Sequence, residues 1–81
     1  MVTVTLWGSL AELAGGQREL EVEATNLREL LTALAQGHPA LRPQLDRGVS
    51  VSIDGKIYND SWFQPIHESS EVVLLNRLEG G

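Results

Sequence analysis

With 81 residues, a net charge of −5 and no cysteine, the chain makes one small domain that buries about 60–65% of its unfolded surface. The absence of cysteine excludes a disulfide scaffold, a thiolate metal site and a cysteine nucleophile. Lys56 is the only lysine beside five arginines, which argues against nucleic acid as a partner, because that binding rests on clustered Lys and Arg.

The same acidity suits either a partner with a basic face or solubility alone. No stretch approaches the ~18 apolar residues of a membrane helix, and the start (Met1, Val2, Thr3, Val4) is a strand pattern without a basic leader. A cytoplasmic protein that meets no membrane is therefore expected.

Residues 1–7 alternate, with Val2, Val4 and Leu6 on one side and Thr3, Thr5 and Trp7 on the other. Period two with β-branched residues predicts a strand. Trp7 then falls on the face opposite the valines, either packing on the core edge or exposed as a contact residue. Residues 8–16 form a connection with helical character over Leu10 to Leu13, closed by the Gly15-Gly16 turn signal. Residues 17–23 alternate again, Leu20 and Val22 inward, Glu19, Glu21 and Glu23 outward. Three carboxylates spaced about 7 Å apart along a strand are a solvated face that discourages edge pairing rather than a cation site.

A helix follows. Asn26 with Glu29 three residues on is a capping-box pattern, Thr25 being the competing N-cap. Leu27, Leu30, Leu31 and Leu34 fall at i, i+3, i+4 and i+7, one apolar stripe. Gly37 is placed as the C′ residue, and Pro39 stops the helix resuming. His38 sits at the C-terminal end, where partial positive charge is tolerated, and has no partner at ligand spacing.

Residues 40–48 read as a loop flanked by prolines. Val49, Val51 and Ile53 alternate with Ser50 and Ser52 as another strand, Asp54-Gly55 is a two-residue hairpin signal, and Lys56 to Tyr58 returns as a short strand. Residues 59–70 are a polar loop whose Trp62, Phe63, Pro65 and Ile66 are expected to lid the open end of the core. His67 and Glu68 are neighbours there, a pairing more typical of a surface than of catalysis.

Residues 71–75 contain the run Val72-Val73-Leu74-Leu75, the pattern of a strand with neighbours on both edges. The polar strip Asn76-Arg77-Leu78-Glu79 and then Gly80-Gly81 come next. At background usage near 7%, two final glycines occur by chance in roughly one chain in two hundred. Glycine has no Cβ and admits close approach, so the pair suits a thin tail entering a narrow channel. The expected organisation is one domain over residues 1–75 and a flexible tail over 76–81.

These elements predict an α+β fold, a mixed sheet of four to five strands with one main helix on one face. The first and last strands pair in parallel at its centre. The opposite face, with Thr3, Thr5, Trp7 and one side of the Val72–Leu75 run, is left for a partner.

The element order, the capped Leu-rich helix ending in a His-Pro turn, the Asp-Gly hairpin and the run Glu71-Val72-Val73-Leu74-Leu75 leading to Gly80-Gly81 resemble the MoaD/ThiS family. The likeness covers essentially the whole chain, with Ser69-Ser70 where the family often has Gly-Asp and Asn76 where a proline is frequent. It implies the β-grasp (ubiquitin-like) fold and a sulfur carrier. An E1-like activating enzyme (MoeB/ThiF-like) uses ATP to adenylate the Gly81 carboxylate, and a persulfide donor then supplies the sulfur of a C-terminal thiocarboxylate. A second enzyme, such as the large subunit of molybdopterin synthase, takes that sulfur for molybdopterin or, in other branches, thiamine, cysteine or tRNA thiolation. The chain itself binds no cofactor or metal and has no catalytic side chain; ATP belongs to the activating partner. Gly81 is the reacting residue, and Gly80, Glu79, Leu78, Arg77 and Trp7 are the partner-binding residues. Two rival readings are a ubiquitin-like modifier joined to lysines through Gly81 and a non-covalent interaction module with incidental glycines.

Overall fold

The computed structural model describes residues 1–77. In β1 (Val2–Leu6), Val2, Val4 and Leu6 are buried while Thr3 faces water. The chain continues through α1 (Ser9–Leu13), β2 (Glu19–Val22), α2 (Leu27–Gly37), a 3₁₀ turn (Pro39–Leu41), α3 (Arg42–Arg47), β3 (Val49–Ile53), β4 (Lys56–Tyr58) and β5 (Val72–Asn76). The five strands form one sheet in the order β2-β1-β5-β3-β4. β1 and β5 are parallel and the other pairings antiparallel. This is the expected β-grasp arrangement, with β5 at its centre.

Register explains the core. Leu6 lies opposite Leu74 and Val4 opposite Val72, while Val51 meets Leu74 and Ile53 meets Val72. All of these are buried, against Leu27, Leu30 and Leu34 of α2 and Leu10 of α1. Full burial of each such side chain stabilises by about 1.5–3 kcal/mol, so the apolar stripe of α2 and the inner sheet face hold the domain together.

Local signals decide the connections. Asn26 Oδ1 accepts from the Glu29 amide at 2.9 Å, which makes Asn26 the N-cap. Glu29 Oε1 reaches back one residue further than a standard capping box, accepting from the Thr25 amide at 2.8 Å and hydroxyl at 2.6 Å. The Thr25 hydroxyl first, and then its amide, hold the Glu29 carboxyl below its ordinary value. Asp54 (φ 51°) and Gly55 (φ 86°) are both left-handed, as a type I′ turn between β3 and β4 requires.

Four expectations need correction. Residues 40–48 are mostly ordered as the 3₁₀ turn and α3, with Leu41 fully buried; Pro43 in the first turn and Gly48 just past the end are start and stop signals that the proline-flanked reading passed over. Gly37 is the last residue of α2 and has no positive φ. His38 caps the helix instead, its amide donating to Leu34 O at 2.8 Å. Of the expected lid residues only Ile66 is buried, while Trp62 and Phe63 are exposed. Lastly, β5 runs through Asn76, which pairs with Val49, one residue beyond the expected boundary. No helix among the described residues is long and apolar enough to cross a membrane.

Candidate functional site

The sheet face away from α2 is built by the residues that alternate with the core set. The ladder registers place Glu19, Thr5, Val73, Ser52 and Ile57 in one row across all five strands. The next row carries Leu75 opposite Ser50. Trp7 stands just past β1, its amide donating to Leu74 O at 3.0 Å, which continues the β1–β5 ladder and brings Trp7 into line with Leu75. Trp7 is 59% exposed and Ile57 44%. Val73 and Leu75 are half-buried. The face is a mixed hydroxyl and apolar surface, bounded on the β2 edge by Glu19 and Glu21. Of the two readings of Trp7, the exposed contact position is the one observed.

The chain leaves this sheet at a fixed point. Beyond Asn76, the Arg77 guanidinium bonds Asp60 Oδ1 at 2.9 Å and lies across Gly48. A β-carbon on Gly48 (φ +116°) would sit 2.7 Å from Arg77 Nε. Glycine at 48 therefore serves two ends: it permits the left-handed turn out of α3 and leaves room for the guanidinium. Arg77, part of the polar strip and one of the expected partner-binding residues, is thus a half-buried anchor held by Asp60. Leu78, Glu79, Gly80 and Gly81 lie outside the described residues. Four residues beyond Arg77 span at most about 14 Å, less than the roughly 20 Å that an unpaired segment from Asn76 would reach.

Elsewhere the side chains give little chemistry. No group of three or more His, Asp or Glu among the described residues is placed to hold a metal ion. His67 donates its amide to Ser70 Oγ at 3.0 Å, and Glu68 accepts from the N-terminal ammonium at 3.1 Å. The first closes a turn within the 59–70 loop and the second ties that loop to the residue preceding β1.

The chain matches the ThiS family over residues 4–81. No curated protein matches it. Among solved structures, SAMP1 from Haloferax volcanii is 26% identical, with a TM-score of 0.73 and coverage of 99% of this chain and 98% of that one. The structure of the Amycolatopsis orientalis BexX/CysO complex contains a chain 17% identical, TM-score 0.78, with complete coverage of both. A Pyrococcus furiosus protein assigned as molybdopterin converting factor, subunit 1, is 18% identical with a TM-score of 0.79, over 95% of this chain and 97% of its own. The latter two likenesses speak for the fold. The exposed face, the strand that delivers the chain out of the sheet and a family match running through Gly81 agree: the chain belongs to the ThiS family of β-grasp, ubiquitin-like sulfur carriers and modifiers.

Proposed function

We propose that the chain carries sulfur on the carboxyl carbon of Gly81. The observation that carries this reading is the family match through residue 81, on a sheet whose central strand leads directly to that end. A carboxylate is anionic and has no good leaving group, so it resists attack. Adenylation supplies a leaving group and splits a hard step into easier ones. A Gly81 carboxylate oxygen attacks the α-phosphorus of ATP and pyrophosphate leaves. The terminal sulfur of a donor persulfide then attacks the acyl carbon and expels AMP; thiol reduction of the resulting acyl disulfide leaves the thiocarboxylate.

The folded body is the part that enzymes grip. An activating enzyme of the MoeB/ThiF kind would rest on the face of Trp7, Thr5, Val73 and Leu75, while Leu78, Glu79 and the thin Gly80-Gly81 tip enter its site. Arg77, bonded to Asp60, fixes where that tip starts. The sulfur would pass to a second enzyme, in the molybdopterin branch one of the molybdopterin synthase kind. Omitting Gly81, or adding one residue after it, should abolish ATP–pyrophosphate exchange by the activating enzyme while leaving the circular dichroism unchanged. Exchange at the parent rate would end the proposal.

A second reading has its own support, since the 26% identical Haloferax volcanii structure is a small archaeal modifier protein. Conjugation would use the same acyl-adenylate, with a target lysine amine in place of sulfur. Target-bound forms of higher mass in cell lysate would favour it.

A further inference from the structure

We infer that the open sheet face takes a partner whose own surface is apolar beside the channel that receives the tail and basic about 13 Å back from it, where it meets Glu19, Glu21 and Glu71. The inference rests on the carrier reading and adds to it the chemistry of the surface that the activating enzyme presents.

The face is divided along its strands. At the end where the chain leaves the sheet, Trp7 and Leu75 stand in line, followed by the row of Thr5, Val73, Ser52 and Ile57. Trp7 and Ile57 are exposed and Val73 and Leu75 half-buried, so this half has apolar surface to bury against a partner. At the other end the strands carry acids. Thr3 lies opposite Glu21 and, one step before the Val4–Val72 pair, beside Glu71; Glu19 shares the row of Thr5. All three carboxylates are exposed, and none is in an ion pair among the described residues. Glu19 and Glu21 are about 7 Å apart along β2, and Glu21 and Glu71 about 10 Å apart across two strand spacings. Their fields therefore add within a Debye length, roughly 10 Å at 0.1 M salt. Leu75 is four residues from Glu71, about 13 Å along β5, which sets the spacing between the two halves.

The chain's six cationic side chains leave this acidic half unneutralised. Arg28 and Arg42 line hollows beside α2, and Arg47 ends α3. Lys56, whose strand position alternates with Ile57, lies over the Tyr58 ring. Arg77 is bonded to Asp60, and the N-terminal ammonium to Glu68. Arg18 borders the face only at the Trp7 end, in the hollow lined by Thr5, Trp7 and Glu12, where Glu12 offsets its charge. Asp54, whose carboxylate accepts from the Glu71 amide at 2.9 Å, adds another negative charge near Glu71. A partner seated over the apolar half therefore meets a net negative surface, and complementarity requires Lys or Arg at that place. A second copy of this chain does not fit the description, since none of its strand residues on this face is basic.

The test uses the full chain and an activating enzyme of the MoeB/ThiF kind at saturating ATP. ATP–pyrophosphate exchange is measured against carrier concentration from about 0.05 to 0.5 M NaCl. Glu21→Gln with Glu71→Gln is compared with Glu23→Gln with Asp46→Asn, an equal change of net charge placed beside α2, each variant being checked for a parent-like Tm. The first variant should raise KM about fivefold at low salt with kcat unchanged, and the gap should close at high salt as the KM of the parent rises. The second should stay within about twofold of the parent. A KM unchanged or lowered in the first variant, an equal rise in both, or a gap that survives high salt would overturn the assignment, while the exchange itself leaves the carrier reading standing. No exchange by the parent at any salt would instead end the carrier reading, and this inference with it.

Discussion

Replacing Gly48 with alanine tests the anchoring of the tail root. Gly48 has φ +116° and ψ 139°, where a residue with a β-carbon costs on the order of 1–3 kcal/mol. The new carbon would lie 2.7 Å from Arg77 Nε, nearer than real Cβ contacts come. The guanidinium ends a flexible side chain, so it would swing aside and lose Asp60. That pair, with side chains 29% and 63% exposed, contributes about 0.5 kcal/mol. Gly48→Ala should therefore cost about 2–3 kcal/mol and lower the Tm by roughly 10–20 °C for a domain of this size. Urea and thermal melts of Gly48→Ala, Arg77→Ala and the double variant separate the contributions: backbone strain belongs to residue 48 alone, while the lost pair is shared. The double variant should fall short of additivity by about 0.5 kcal/mol. A Gly48→Ala protein within about 0.5 kcal/mol of the parent would refute the reasoning, because surface changes without a specific mechanism stay in that range.

Further outcomes follow from the same geometry. Leu74→Ala empties the centre of the core beside Leu6 and Val51 and should cost about 2–5 kcal/mol in urea melts. Trp7→Ala should leave the Tm within a few degrees yet lower kcat/KM of the activating enzyme by at least about tenfold, as loss of a contact anchor does. Gly80→Val should keep the parent Tm and block adenylation, read by pyrophosphate exchange. For Glu29 the folded-state value is depressed, so its stabilising contribution is present above the ordinary value of 4.5 and is lost as pH falls through the lowered value. Glu29→Gln should accordingly lower the urea midpoint at neutral pH, and the gap to the parent should close in strong acid.

Much of this was legible in the sequence because burial imposes a period. Val2, Val4 and Leu6, or Leu27, Leu30 and Leu34, announce their elements because each has one face in the core. Asp54-Gly55 announces its turn because few dipeptides take two left-handed residues in succession. The short α3 was not legible: Arg42, Gln44, Asp46 and Arg47 contribute no buried residue, so no apolar stripe marks it, and Leu41 is buried from the 3₁₀ turn. Gly37 misled because glycine also tolerates ordinary helical torsions, and Pro39 alone already ends α2. The tail root was half legible. The Val72–Leu75 run located the central strand, but the Arg77–Asp60 bond over Gly48 joins three distant positions that no local pattern connects. Trp62 and Phe63 were expected over the core because they are apolar; their exposure follows from backbone hydrogen bonds to the start of α2, a tertiary feature.

The central claim is that the chemistry occurs at the carbonyl of Gly81. It is tested most directly by the intact mass of the full chain after incubation with its activating enzyme, ATP and a persulfide donor, with fragmentation to locate the change. The account predicts exchange of one oxygen for one sulfur at Gly81, absent without ATP. An unchanged mass with an enzyme that activates a related carrier under the same conditions, or sulfur located anywhere else in the chain, would contradict it.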